Sequence, residues 1–130
     1  MKTIRFAGLI GITLLFLAIK CEKAVDNYII IENRSNDAIY YLLSFYYPDT
    51  LLKKSEYPPD GNKILKHEVI NNIPGDPCFE VTDTLIIFIL NADTVETLPW
   101  DTIVERYLIL KRYEVTKYDM ERVNWTITYP

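Results

Sequence analysis

The residues that could do chemistry are few, and their spacing argues against most catalysts. The single histidine, His67, stands between Lys66 and Glu68 in a polar stretch, where it reads as a solvated side chain. A Ser-His-acid triad would have to use it, yet no Gly-x-Ser-x-Gly elbow occurs. The two cysteines, Cys21 and Cys78, have no paired spacing, and a zinc site needs about four ligands, so no metal or other cofactor is expected. Asp60-Gly61-Asn62 reads as a turn, because no ligand series ending in Glu follows at EF-hand spacing. The 18 acidic side chains allow two carboxylates to converge in space, as in glycoside hydrolysis. A small carboxylate-based hydrolase is therefore the enzymatic alternative. Without any set of catalytic motifs, the leading expectation is a protein that is not an enzyme.

Aromatic residues, by contrast, are plentiful: ten Tyr, five Phe and two Trp. Tyr40, Tyr41, Phe45, Tyr46 and Tyr47 cluster, and in a strand alternate residues face opposite sides. Tyr41, Phe45 and Tyr47 would then share one face, and Tyr40 and Tyr46 the other. One face packs in the core. The other offers a platform for a sugar ring or a protein partner, because Tyr combines contact area with a hydrogen-bonding tip. The candidate binding surface is Tyr40, Tyr46 and Trp100 beside a long loop, Pro48 to Lys63. The plainer alternative is core packing with ordinary cross-strand pairs.

At the amino end, Lys2 and Arg5 precede an uncharged run from Phe6 to Ile19, closed by Lys20. That run is short for a transmembrane helix, which needs roughly 20 apolar residues, and fits a signal peptide over residues 1–20. Leu17-Ala18-Ile19-Lys20-Cys21 resembles a lipobox, with Lys20 where the pattern has Gly, Ala or Ser. The expectation is an exported lipoprotein acylated at Cys21, held to the outer membrane by its lipid on the periplasmic or the surface-exposed side. An uncleaved signal anchor is the alternative. Acylation leaves Cys78 without an intrachain partner, as a buried small hydrophobe or a free thiol. A Cys21–Cys78 disulfide would require an unacylated Cys21. Removing Lys2, Arg5 and Lys20 leaves 11 basic against 18 acidic side chains, a net charge of −7. That sign disfavours nucleic acid and any basic-patch attraction to anionic lipid.

The elements that must position these residues are mostly strands. Residues 21–27 read as a tether and 28–130 as one domain, a usual size for a single core. Tyr28 to Glu32 and Ala38 to Tyr47 are β-prone runs around a turn-rich Asn33 to Asp37. Ile64 to Ile73 supplies one short strand before the turn cluster Pro74-Gly75-Asp76-Pro77. Cys78 to Asn91 contains the most apolar run, Leu85 to Leu90, which fits a strand buried on both faces. Leu98 to Arg106 reads as a short helix, and Tyr107 to Val115 as a strand. Thr116 and Asp119 have capping-box spacing for one helical turn, and Trp125 to Tyr129 is a last strand led by a core tryptophan. The fold expected is mostly β, an antiparallel β-sandwich with one or two short helical turns.

The carboxyl end, Ile109-Leu110-Lys111-Arg112-Tyr113-Glu114-Val115-Thr116, then Asp119, then Asn124-Trp125-Thr126-Ile127-Thr128-Tyr129-Pro130, resembles the closing signature of a family of small Bacteroidetes lipoproteins. Ile31 to Ser35 before Ile39-Tyr40, Tyr47-Pro48-Asp49, and Leu85 to Asp93 leading into Trp100 are further matches. The resemblance implies a cell-envelope address and a β-rich fold. No activity or catalytic residue comes with it. Asp-Thr followed by an aliphatic residue occurs four times, at Thr50, Thr84, Thr94 and Thr102, and resembles the O-glycosylation acceptor motif of exported Bacteroidetes proteins. The plainer reading is Asp ending a turn and Thr opening a strand. The function expected is a lipid-anchored, non-catalytic module that binds or scaffolds an envelope protein or an extracellular glycan. A structural subunit of a surface assembly is the remaining alternative.

Overall fold

The computed structural model describes residues 27–130. The expected signal peptide over residues 1–20, Cys21 and all of the expected tether but Asn27 lie outside the described residues. Within them, β1 (Tyr28–Asn33) is the centre of a three-stranded sheet, antiparallel to β4 (Val69–Pro74) and parallel to β7 (Thr126–Tyr129). A second sheet is antiparallel throughout, in the order β3 (Lys63–Ile64), β2 (Ile39–Ser44), β5 (Thr84–Asn91), β6 (Lys111–Thr116). Four short helices complete the domain: α1 (Gly75–Val81), α2 (Ala92–Thr97), α3 (Trp100–Arg106) and α4 (Lys117–Arg122), with a 3-10 turn at Asp60–Asn62.

Strand alternation sorts the apolar side chains into two cores. Ile29, Ile31, Ile73 and Ile127 of the first sheet meet Ile39, Tyr41, Leu85, Ile87, Ile89 and Val115 of the second. The opposite face of the second sheet carries Tyr40, Leu42, Ile86, Phe88 and Leu90, covered by Ala92 and Val95 of α2, Ile103 of α3 and Leu52 of the loop after β2. β5 is therefore walled on both sides. All six residues of Leu85 to Leu90 are fully buried, as their unbroken apolar run requires. Each such side chain contributes about 1.5–3 kcal/mol by leaving water.

The domain is thus a small mixed α/β fold with two sheets, and it departs from the expected one in three ways. Four helices replace one or two turns, and one strand pair, β1 with β7, is parallel. Cys78 lies in α1, since Pro74-Gly75-Asp76-Pro77 opens a helix: Pro77 falls in the first turn, where its missing N–H costs nothing, and Asp76 favours the helix amino terminus. The stretch Ile64 to Ile73 is broken by a tight turn at Leu65 to Glu68, with exposed His67 in a left-handed conformation and Glu68 N–H bonded to Leu65 O at 3.1 Å. Residues 92–97 form α2 because Asn91 caps them, accepting from Thr94 N–H at 3.0 Å. The remaining strand and helix expectations are met with shifted ends. Thr116 and Asp119 make the expected capping box of α4, and Trp125 is buried, edge-on to Phe79 at 6.0 Å.

Candidate functional site

β2 stops at Ser44, and Phe45 to Pro59 form no regular element apart from turns. The segment is nonetheless held fast across the outer face of the second sheet. Asp49 N–H closes a turn onto Tyr46 O at 2.8 Å, across a cis Tyr47–Pro48 peptide. Lys53 Nζ bonds Asp49 Oδ2 at 2.6 Å and lies 4.8 Å from the centre of the Tyr46 ring. Leu52 and Pro58 are buried. The Tyr107 hydroxyl donates to Thr50 O at 3.0 Å, Trp100 Nε1–H to Lys53 O at 3.3 Å, and Lys54 pairs with Glu105 at 2.9 Å. α3, which supplies Trp100 and Glu105, and Tyr107 at its end act as the brace.

What the braced loop leaves outside is apolar and aromatic. Leu51 is 62% exposed and Tyr57 52%, with Phe45, Tyr46 and Tyr47 also exposed. Tyr57 stacks edge-on against Trp100 with ring centres 5.3 Å apart. A run of exposed large side chains on one fixed segment is the kind of patch that marks a contact surface. Tyr46 and half-buried Trp100 thus both belong to the loop surface. Tyr40 does not: it is 5% exposed, in the second core, and its hydroxyl donates to Glu96 Oε1 at 3.1 Å. The alternation that grouped it with Tyr46 ends with the strand at Ser44. Lys63 pairs with the same Glu96, and with the Tyr40 hydrogen bond holds that carboxyl below its ordinary value. Tyr57, Leu51 and Lys53 are the members that the sequence did not single out. Tyr57 is separated from Trp100 by a long stretch of chain, and no local pattern announces their contact.

Two oxygens lie buried at the loop's root. Ser44 is fully buried, and Ser44 Oγ and Glu56 Oε2 make no hydrogen bond among the described residues. Burial pushes the Glu56 carboxyl above its ordinary value, against the nearby Ser44 hydroxyl and Lys53 ammonium.

An open groove of about 610 Å³ runs between the free edges of β6 and β7, with Glu32, Arg34, Tyr113, Asp119, Ile127 and Thr128 among its lining. Both of its carboxyls are committed. Arg34 Nε bonds Glu32 Oε1 at 2.8 Å, and Thr116 N–H bonds Asp119 Oδ2 at 2.9 Å, and these bonds hold both pKa values below the ordinary range. Lys111, Arg112 and Glu114 stud the edge strand β6, which discourages pairing with another strand.

The threonines of the Asp-Thr motifs are all half-buried. Only Thr84 opens a strand after its Asp; Thr94 and Thr102 lie in the first turns of α2 and α3, and Thr50 lies in the braced loop. Cys78 is buried, its thiol donates to Pro74 O at 3.3 Å, and burial pushes its pKa up. No group of three or more His, Cys, Asp or Glu able to hold a metal ion occurs among the described residues. Comparison with protein-family models, with curated proteins and with solved structures finds no match, so the functional reading rests on the chain's own residues.

Proposed function

We propose that the protein is an exported lipoprotein of the outer membrane, acylated at Cys21, whose sandwich-like domain is a non-catalytic binding or scaffolding module for an extracellular glycan or an envelope protein. The observation that carries this reading is the braced loop: Leu51, Tyr46 and Tyr57 face solvent on a segment pinned by Leu52, Trp100 and Tyr107. A surface held in place before binding loses little conformational entropy on contact, which favours recognition. The groove supports catalysis poorly, since Glu32 and Asp119 are both kept ionised by partners and neither is poised to give up a proton. The lipobox-like start and the resemblance of the carboxyl end to Bacteroidetes lipoproteins support the address.

A glycan array and a pull-down from envelope extracts, each run with wild type and Tyr57→Ala, test the reading. Retention of a ligand by wild type that falls in Tyr57→Ala is expected. Blank results for wild type in both would overturn it. O-glycosylation at Thr50, Thr84, Thr94 or Thr102 accompanies the exported address, and the mass of the mature protein tests it.

A further inference from the structure

The strand order brings a set of exposed apolar side chains to the end of the domain where the tether enters. Asn27 is fixed there: its carbonyl accepts from Gly75 N–H at 2.8 Å, and its own N–H donates to Asp76 Oδ2 at 3.1 Å. Lys117 at the start of α4 pairs with the same Asp76 at 3.2 Å. Tyr28 begins β1 at this end, paired with Pro74, and Thr84 opposite Thr116 closes the second sheet there. Val81 ends α1 just before Thr84, and Tyr118 follows Thr116 in α4. β2 reaches the same end at Ser44, opposite Ile86, and continues into Phe45 and Tyr47. Val81 is 72% exposed and Tyr118 68%, and Tyr28, Phe45 and Tyr47 are exposed as well.

We infer that this tether end docks on a zwitterionic phospholipid surface through Tyr28, Phe45, Tyr47, Val81 and Tyr118. The inference rests on the acylation of Cys21 proposed above. From Cys21 to Asn27 is six residues, a reach of roughly 20 Å at full extension, so an acylated Cys21 keeps this end beside the bilayer. Tyrosines are the residues that settle at headgroup depth, and the Arg122 guanidinium, 5.8 Å from the Tyr118 ring, is a suitable headgroup partner. The charges choose the lipid. Asp76, Glu80, Asp83, Asp119 and Glu121 stand on α1, α4 and the turn before β5, against Lys117 and Arg122, so anionic headgroups are not attracted.

The test uses the full chain purified from membranes, whose mass first shows whether Cys21 is acylated. Acylated protein is placed in phosphatidylcholine nanodiscs as it is. Unacylated protein is coupled to a maleimide lipid through Cys21, Cys78 being buried, so docking is read even if the anchor reading fails. With a spin label on the lipid headgroups, amide NMR signals of Tyr28, Phe45, Val81 and Tyr118 should be lost while those of Leu65, Leu98 and Leu110 persist. Because a tether alone would bring this end near, the deciding arm is the double variant Val81→Asp with Tyr118→Asp. It should restore the tether-end signals while the protein stays on the nanodisc. Val81→Ser with Tyr118→Ser serves if the first pair fails to fold. Loss at both ends equally, loss at Tyr57 in place of the tether end, no response to either double variant, or stronger loss with phosphatidylglycerol would each overturn the inference.

Discussion

Glu56 shows how a loop without regular structure can carry a cost that its neighbours relieve only in part. Its carboxyl is drawn in beside the fully buried Ser44, and burial raises its pKa. A carboxyl whose pKa is higher in the folded than in the unfolded protein favours folding while protonated. Stability therefore falls as pH rises from the unfolded carboxylate pKa through the folded one. Glu56→Gln should leave stability unchanged at a pH below the carboxylate range and raise it near neutrality. Urea midpoints for variant and wild type at both pH values check this, and a variant less stable at neutral pH would show that the charge has a partner. The same loop explains which exposed aromatic residues were legible in the sequence. Trp100 and Tyr46 stood out as large aromatics near a Pro-rich stretch, and both reach the loop surface. Tyr40 is buried where strand alternation suggests exposure, because its surroundings are set by Leu52 and α2, parts of the chain distant in sequence that cover the second face of β2. Nothing local marks Tyr57 either, since its environment is made by Trp100.

Among the elements, the capping box of α4 and the approach of Trp125 to Gly75 are the points where a single change has the clearest cost. Thr116 Oγ1 accepts from Asp119 N–H at 3.2 Å, and the Asp119 carboxylate accepts in return from Thr116 N–H at 2.9 Å. Thr116→Ala should lower stability by about 1 kcal/mol, read from denaturant unfolding. The share owed to the Asp119 carboxylate, whose pKa is lowered, is present above the unfolded carboxylate pKa and lost as pH falls through the folded one. At Gly75 an added Cβ would stand 2.5 and 2.8 Å from two carbons of the Trp125 ring. Gly75→Ala should therefore destabilise by about 1–3 kcal/mol through overpacking. The cost should shrink in a Trp125→Phe background, and a double-mutant cycle with no coupling would disprove the contact. The capping box was readable because its two partners are three residues apart, and β5 because six consecutive apolar residues have few other homes. α1 and α2 were not. Pro74 to Pro77 carries as much turn chemistry as helix-start chemistry, and Ala92 and Val95 are too few to show a helical period. The parallel pairing of β1 with β7 joins segments nearly a hundred residues apart, and no local pattern encodes it.

At the scale of the whole molecule, the question is whether the layer that carries the aromatic loop stands or falls with the rest. The second sheet is one wall of both cores: Ile87 of β5 points into the first and Phe88 into the second. Neither core can open without exposing β5, which favours a single cooperative transition. The loop layer, however, reaches the sheet mainly through Leu52, Ala92, Val95 and Ile103, and its ion pairs Lys53–Asp49 and Lys54–Glu105 lie within the layer and are too exposed to add much. Local opening of such a layer below the global free energy is a common way for binding surfaces to move. The two tryptophans decide between these outcomes, because Trp125 belongs to the first core and Trp100 packs against the second. Trp100→Phe and Trp125→Phe each leave one fluorescent reporter. In urea, the two reporters should give coincident midpoints, each compared with its own variant followed by circular dichroism. Ile87→Val, costing about 0.5–1.5 kcal/mol, should move the Trp100 transition as much as the Trp125 transition, although Ile87 lies on the face away from Trp100. If Trp100 melts first and ignores Ile87→Val, the loop and helices are a separately opening cover over the sheet. Tyr57 and its neighbours would then be a mobile surface, and a rigid binding platform would be excluded.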